Sequence, residues 1–387
     1  MTQIIEEVQL DYCDVMIKPK RSTLNSRSEP NVYRDYKFRW TNRIINGNGL
    51  MVANMATTGT FEMAKVMQKN KMFCCLQKHY TYEELKTFLE DNFNNPESHN
   101  NDYIFVSTGI KTGDYEKICK VIDLGLCKNL CIDVANGYIP NLLSFVKKIR
   151  EQYPSLVIMV GNVVTGDMVQ DLILTGADMV KVGIGPGANC TTRKETGIGR
   201  SQLSAVIECA EAAHAVDGMI CADGGVTCNG DICKAFGAGA DFVMVGSLVA
   251  GTDEAEGDVI EKMYRTNEYE FYEEDCCTLT KPSTREWTEY HPDKPIYEIK
   301  KFKLAYGMSS RFAQEKHWNG MNKYRTSEGI VTLKPYSGPV QDIIDNYLGG
   351  LRSCMTYISA KRLKDIPKCC TFYKTNRILN NDGKGIM

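Results

Sequence analysis

Gly176-Ala-Asp-Met-Val-Lys-Val-Gly183 returns with two substitutions as Gly239-Ala-Asp-Phe-Val-Met-Val-Gly246. Each is a glycine turn feeding a short, β-rich apolar run that ends in another glycine. Taken alone, Gly-Ala-Asp is simply a good helix-to-strand turn. The surroundings decide its meaning, because six more runs of the same kind precede or separate the two: Leu50–Met55, Met72–Gln77, Tyr103–Ser107, Leu130–Val134, Val157–Val160 and Met219–Asp223. With Asp178–Val182 and Asp241–Val245 they make eight candidate strands separated by amphipathic stretches. Near-continuous apolar strands alternating with helices predict a parallel sheet covered on both faces, and eight such units predict a closed (β/α)8 TIM barrel. The repeat then holds strands six and eight. Its terminal glycines fall at the C-terminal strand ends, where barrels of this kind carry their chemistry.

Outward from the barrel, the pattern breaks after strand eight. Residues of about 259–303 read as an insertion, with a polar, tyrosine-rich centre from Tyr264 to Lys300 that suits a β-hairpin extension. Helical periodicity returns at Val340–Leu351, interrupted by Gly349-Gly350, and 376–387 reads as a loose tail. The expectation is one catalytic barrel domain over 1–387. The chain is 43% hydrophobic and 24% charged with a formal net charge of −2. It carries no chain-wide basic field for nucleic acid or anionic membrane, so any phosphate site must be local. No stretch approaches the ~18 uninterrupted apolar residues of a membrane span, and the first ten residues carry no signal-type apolar run. A soluble, cytoplasmic protein is expected. The sixteen cysteines sit mostly in apolar strand-like or helix-like runs and read as reduced buried thiols, with no zinc spacing.

The strongest chemical signal is the loop leaving strand six, Gly183-Ile-Gly-Pro-Gly-Ala-Asn-Cys-Thr-Thr-Arg193. Three glycines precede a lone cysteine flanked by hydroxyls and a cation, a setting that stabilises a thiolate through nearby Arg and oriented backbone N–H groups. An ordinary cysteine in a flexible turn is the alternative. For Cys74, Cys131, Cys209 and Cys354 that alternative is the better reading. Ala222-Asp-Gly-Gly225 follows strand seven and Gly246-Ser247 follows strand eight, the two places where this barrel commonly binds phosphate. Glycines let backbone N–H groups approach phosphate oxygens, Ser247 adds a donor, and Asp223 can accept from ribose hydroxyls. Together with the cysteine loop, these turns outline one nucleotide site.

The GPGxxCTTR loop, the ADGG turn and the VGS turn resemble the IMP dehydrogenase and GMP reductase superfamily over nearly the whole chain. Leu10-Asp-Tyr-Cys-Asp-Val, Lys78-His79-Tyr80, Asp133-Val-Ala-Asn-Gly-Tyr138, Tyr306-Gly-Met-Ser-Ser310 and Arg325-Thr-Ser-Glu-Gly329 resemble its reductase branch. Dehydrogenases of the superfamily typically insert a pair of CBS modules and carry an Arg-Tyr dyad that activates water. Tyr80–Asp102 is too short for such modules, and the stretch before Glu328 reads Lys323-Tyr324-Arg325 instead.

The resemblance implies reductive deamination of GMP to IMP with NADPH. Cys190 would add to purine C2, forming a thioimidate as ammonia leaves, with Thr192 and Glu328 as the proton relay. It implies that Asp223, Gly224, Gly225, Gly246, Ser247, Gly307, Met308, Ser309, Arg325, Thr326, Ser327 and Gly329 hold the substrate. Ser26, Arg27, Lys78, Asp133, Val134, Ala135, Ile184 and Gly185 would hold the cofactor, with Ser353, Cys354, Met355 and Thr356 reaching in from a neighbouring subunit of a homotetramer. Judged singly, Arg27 and Lys78 read as solvated surface charges, whereas Asp133 ends strand four and faces the active-site rim, with a helix cap as the alternative. A potassium ion on the carbonyls of Gly185, Gly187, Cys190 and Arg193 is implied in the same way.

Three positions depart from the family pattern: Ala188 where Ser is usual, Ala56 where Asp is usual, and Ser247 where reductases often have Gly. Other readings remain open on sequence alone. These are an IMP dehydrogenase without CBS modules, a binding or assembly protein using the insertion, and a flavin-dependent barrel oxidoreductase.

Overall fold

The computed structural model describes residues 4–270, 294–318, 320 and 326–375. Eight parallel strands close into a barrel: β1 (Leu50–Val52), β2 (Phe73–Leu76), β3 (Ile104–Thr108), β4 (Asn129–Asp133), β5 (Val157–Val163), β6 (Met179–Val182), β7 (Met219–Asp223) and β8 (Phe242–Val245). β8 pairs back onto β1, with Val243 opposite Leu50 and Val245 opposite Val52. The expected (β/α)8 TIM barrel is the observed fold. The helices following the strands are α1 (Phe61–Lys69), α2 (Tyr82–Phe93), α3 (Thr112–Asp123), α4 (Pro140–Gln152), α5 (Gly166–Thr175), α6 (Gln202–His214), α7 (Asn229–Gly237) and α8 (Val340–Tyr357).

The strands are apolar throughout because both faces are buried. In β2, Phe73 and Cys75 point into the barrel, while Cys74 and Leu76 pack under the helices. The barrel interior is rich in sulfur and aromatic rings: Met51, Phe105, Cys131, Met159, Met179, Cys221, Phe242 and Met244. Cysteines here are small hydrophobes, and the described ones are unpaired thiols. A short hairpin of Arg34–Lys37 and Ile44–Gly47 stoppers the N-terminal end, stacking Tyr36 on Phe242 at 4.4 Å between ring centroids.

The twin Gly-Ala-Asp turns act in the same way at that closed end. Asp178 accepts the Ile158 N–H at 3.0 Å and pairs with Arg150 at 2.7 Å. Asp241 accepts the Ile220 N–H at 3.1 Å and pairs with Arg34 at 3.2 Å. The turn reading and the barrel reading of the repeat are both correct: its aspartates buttress the bottom, and its final glycines open the top.

Beyond β8, β9 (Ile260–Glu270) and β10 (Lys294–Tyr306) pair antiparallel, and β11 (Val331–Pro335) joins β10. The insertion is therefore rooted in a three-stranded sheet. Its centre, 271–293, and the tail from 376 lie outside the described residues. One expectation needs correcting: Gly349-Gly350 does not interrupt the last helix, which runs unbroken from Val340 to Tyr357. A Cβ on Gly350 would stand 3.3 Å from Asn229, so the glycine lets α8 lie close against α7.

Candidate active site

A cavity of about 1050 Å³ opens at the C-terminal mouth of the barrel. It exceeds the roughly 300–1,000 Å³ usual for a single small-molecule pocket. The loops after β2, β4, β6, β7 and β8 and the Gly307–Ser309 segment line it.

Cys190 lies on its wall, half-buried. The Cys190 thiol donates to Thr192 Oγ1 at 3.2 Å, and the Thr192 hydroxyl donates to Glu328 Oε2 at 2.7 Å. Two remote stretches of chain build this line. The Gly183–Arg193 loop supplies the first two members, and the residues just before β11 supply the third. Backbone pairing joins them: Cys190 bridges Gly329, the Thr191 N–H donates to the Glu328 carbonyl at 3.0 Å, and the Ile330 N–H donates to the Asn189 carbonyl at 3.0 Å. A thiol, a hydroxyl and a carboxylate in hydrogen-bond series can carry a proton between a reacting group at sulfur and the carboxylate.

Deeper in the cavity, Lys181 is 3% exposed, bonded to Asp133 at 2.6 Å and Asp223 at 3.2 Å. Lys78 reaches the other Asp133 oxygen at 3.3 Å. Burial alone pushes the Asp133 carboxyl up, but the two ammonium groups outweigh it and hold the group well below the ordinary carboxylate range. Burial likewise pulls Lys181 down, and Asp133 and Asp223 more than offset it, so its pKa lies well above that of a free lysine. Asn162 Nδ2 donates to Asp223 Oδ2 at 2.8 Å. Among the described residues Asp223 Oδ1 takes no hydrogen bond, and the residue lines the cavity. Asp133 does not cap the next helix, whose N-cap is Ile139.

His79 lines the rim and stacks on His317, with ring centroids 4.1 Å apart. Burial, followed by His317 and Lys78, pushes His79 down to about 4.

Most of the expected substrate residues converge here: Asp223, Gly224, Gly225, Gly246, Ser247, Gly307, Met308 and Ser309 line the cavity. The Ala56 N–H reaches Met308 Sδ at 3.4 Å, so the backbone at that departure supports the Gly307–Ser309 segment. Ser327 and Gly329 do not line the cavity; Ser327 Oγ donates to the Gly329 carbonyl at 3.1 Å. Thr326 is exposed, and Arg325 lies outside the described residues. Of the cofactor residues, Lys78, Asp133, Val134, Ala135, Ile184 and Gly185 line the cavity. Ser26, Arg27 and Ser353–Thr356 do not. Ser26 and Arg27 sit on an exposed loop, and Met355 is core. Yet the loop and the end of α8 adjoin, through the Lys20 N–H to the Tyr357 carbonyl at 2.9 Å and the Thr23 N–H to Ser359 Oγ at 3.0 Å.

The donor sets can be tested against the implied groups. Lys78 and the Val134–Ala135 turn offer a cation and backbone atoms to a dinucleotide. The carbonyls of Gly185 and Cys190 accept no hydrogen bond among the described residues, while those of Gly187 and Arg193 each accept one and keep a second lone pair. All four carbonyls belong to the loop that carries Cys190 and the first turn of the helix after it, and such neutral oxygens are ligands a monovalent cation could take.

Sequence reasoning missed Lys181 and Asn162. A signal existed for the first: Lys181 interrupts an apolar strand at the position where the twin segment has Met244, and a buried ammonium requires an anion.

A domain family described as "IMP dehydrogenase / GMP reductase domain" matches residues 9–281 and 283–381. The chain is similar to a GMP reductase of Caenorhabditis elegans, 44% identical over 382 residues that span 98% of this chain and 96% of the relative. It is similar to human GMP reductase 2, 42% identical with 98% of each chain covered. To human GMP reductase 1 it is 43% identical, with 97% of this chain and 98% of the relative covered.

Proposed function

The chain belongs to the IMP dehydrogenase and GMP reductase family, and from that premise we propose that it is a GMP reductase, converting GMP to IMP and ammonia at the expense of NADPH. The observation that carries the reading is the Cys190–Thr192–Glu328 line at 3.2 and 2.7 Å, set in a cavity that also holds the Asp223–Gly225 and Gly246–Ser247 turns. The near full-length similarity to proteins named GMP reductase favours this branch over a dehydrogenase. The short connection after β2, filled by α2, leaves no room for CBS modules there.

The Cys190 sulfur bonds to purine C2, and the 2-amino group departs as ammonia once Thr192, drawing on Glu328, has delivered a proton to it. What NADPH supplies, when bound, is hydride for C2 of the resulting thioimidate. The carbon–sulfur bond then breaks, which frees IMP and restores the thiolate. Asp223 orients the ribose, Met308 and Ser309 face the purine, and the glycine turns take the phosphate. Lys78 and Asp133, with Val134, Ala135, Ile184 and Gly185, hold the cofactor. The carbonyls of Gly185, Gly187, Cys190 and Arg193 would hold a potassium ion, which would supply an ordering charge to the cysteine loop. Ser353, Cys354 and Thr356 are partly exposed at the end of α8 while Met355 is buried among them, which supports that helix end, beside the Ser26–Arg27 loop, reaching the cavity of a neighbouring copy in a homotetramer.

The test is a spectrophotometric assay with each purine nucleotide and each nicotinamide. NADPH oxidation dependent on GMP, with IMP and ammonia formed in equal amounts, is expected. NADH formation from IMP, with no GMP-dependent oxidation, overturns the reading.

A further inference from the structure

We propose that Lys334 binds the substrate phosphate and sets the preference for a nucleoside monophosphate over the free nucleoside. The inference rests on the GMP reductase reading and deepens it.

The lysine projects from β11, and its ammonium donates to Ser247 Oγ at 2.6 Å. Ser247 lines the cavity within the glycine turn after β8, so a cation stands directly behind the phosphate turn. Among the described residues, no carboxylate lies within ion-pair distance of Lys334. Its cross-strand neighbour is another lysine, Lys303, in register on β10. Like charges directly opposite on an antiparallel pair are unfavourable unless something neutralises them. Lys303 is satisfied by the carbonyls of Asp253 and Ala255, at 3.2 and 2.7 Å. Among the described residues Lys334 has only a neutral hydroxyl as partner, and a phosphate dianion on the Gly246–Ser247 turn is the partner its position suits.

The position is held from both ends. The Ser337 N–H donates to the Gly251 carbonyl at 3.0 Å, fixing β11 to the loop that follows the phosphate turn. Upstream, β11 continues from Glu328 and Gly329, the stretch paired with Cys190. Phosphate drawn to Lys334 therefore pulls on the same strand that supplies the relay carboxylate. Ala188 and Ser247 gain a common sense: a hydroxyl is missing on one side of the site, and a hydroxyl backed by a cation stands on the other.

GMP is titrated calorimetrically into the full-length protein, its Lys334→Met variant and its Lys334→Arg variant, and their thermal midpoints and kcat and KM for GMP are compared. Losing a charge-assisted bond to phosphate should weaken GMP binding about tenfold to a hundredfold in Lys334→Met, with KM rising and kcat changing much less. Arginine should restore affinity to within a few-fold, and guanosine should bind both variants as weakly as it binds the parent. Parent-like GMP affinity in Lys334→Met, or failure of arginine to rescue a correctly folded protein, overturns the proposal. Nucleotide binding without NADPH oxidation in the parent would sink the reductase reading while still testing Lys334.

Discussion

Lys181 and Asp133 lie 2.6 Å apart at the inner end of the cavity, and the same ammonium reaches Asp223 at 3.2 Å, so one buried cation ties the end of β4 to the end of β7. Lys181→Met fills the same space and leaves two carboxylates facing each other across it. The expected cost is about 3 kcal/mol of unfolding free energy, read from urea midpoints, with GMP turnover reduced as Asp223 loses its position. A variant as stable and active as the parent contradicts the role.

The relay separates chemistry from binding. Glu328→Gln and Thr192→Val should each lower kcat by roughly a hundredfold to ten-thousandfold, the usual worth of general acid–base catalysis, while GMP affinity stays close to that of the parent. Steady-state kinetics beside calorimetric titration checks both halves.

His79 makes stability depend on pH in a defined window. Its folded pKa of about 4 lies below the ordinary histidine value of 6.5, so the unfolded chain binds the proton more readily between these limits. Stability from this group is therefore complete above pH 6.5 and declines as pH falls towards 4. The depressed carboxyl of Asp133 acts in the same direction only below its unfolded value of roughly 3.9. Replacing His79 with Phe, which keeps a ring against His317, should flatten the slope between pH 6.5 and 4 in thermal-midpoint measurements.

Gly183 follows β6 directly with φ of 152°, and a Cβ there would stand 2.1 Å from the Asp223 carbonyl. Gly183→Ala should cost more than about 1 kcal/mol and raise KM for GMP by displacing Asp223. Unchanged stability and KM would remove the packing argument.

The sequence made the barrel legible because each strand is apolar on both faces and each break carries its own turn chemistry. That the cysteine loop and the glycine turns after β7 and β8 would line one cavity was legible for the same reason: a local run of glycines around reactive or donor side chains has few other uses. The Lys181 triad was hidden because Asp133, Lys181 and Asp223 sit on three separate strands, and only closure of the barrel brings them together. The Cys190–Glu328 pairing was legible only through family resemblance, since 138 positions separate the two residues. The Gly349-Gly350 pair misled because glycine usually ends a helix, whereas here Gly350 serves a close approach of α8 to α7.

The most direct test is to digest protein quenched during turnover with GMP and NADPH, and to weigh the peptide that carries Cys190. A purine nucleotide adduct on that sulfur, absent in Cys190→Ala together with all turnover while GMP still binds, is the expected result. An unmodified peptide at every quench time, with Cys190→Ala still reducing GMP, would contradict the account.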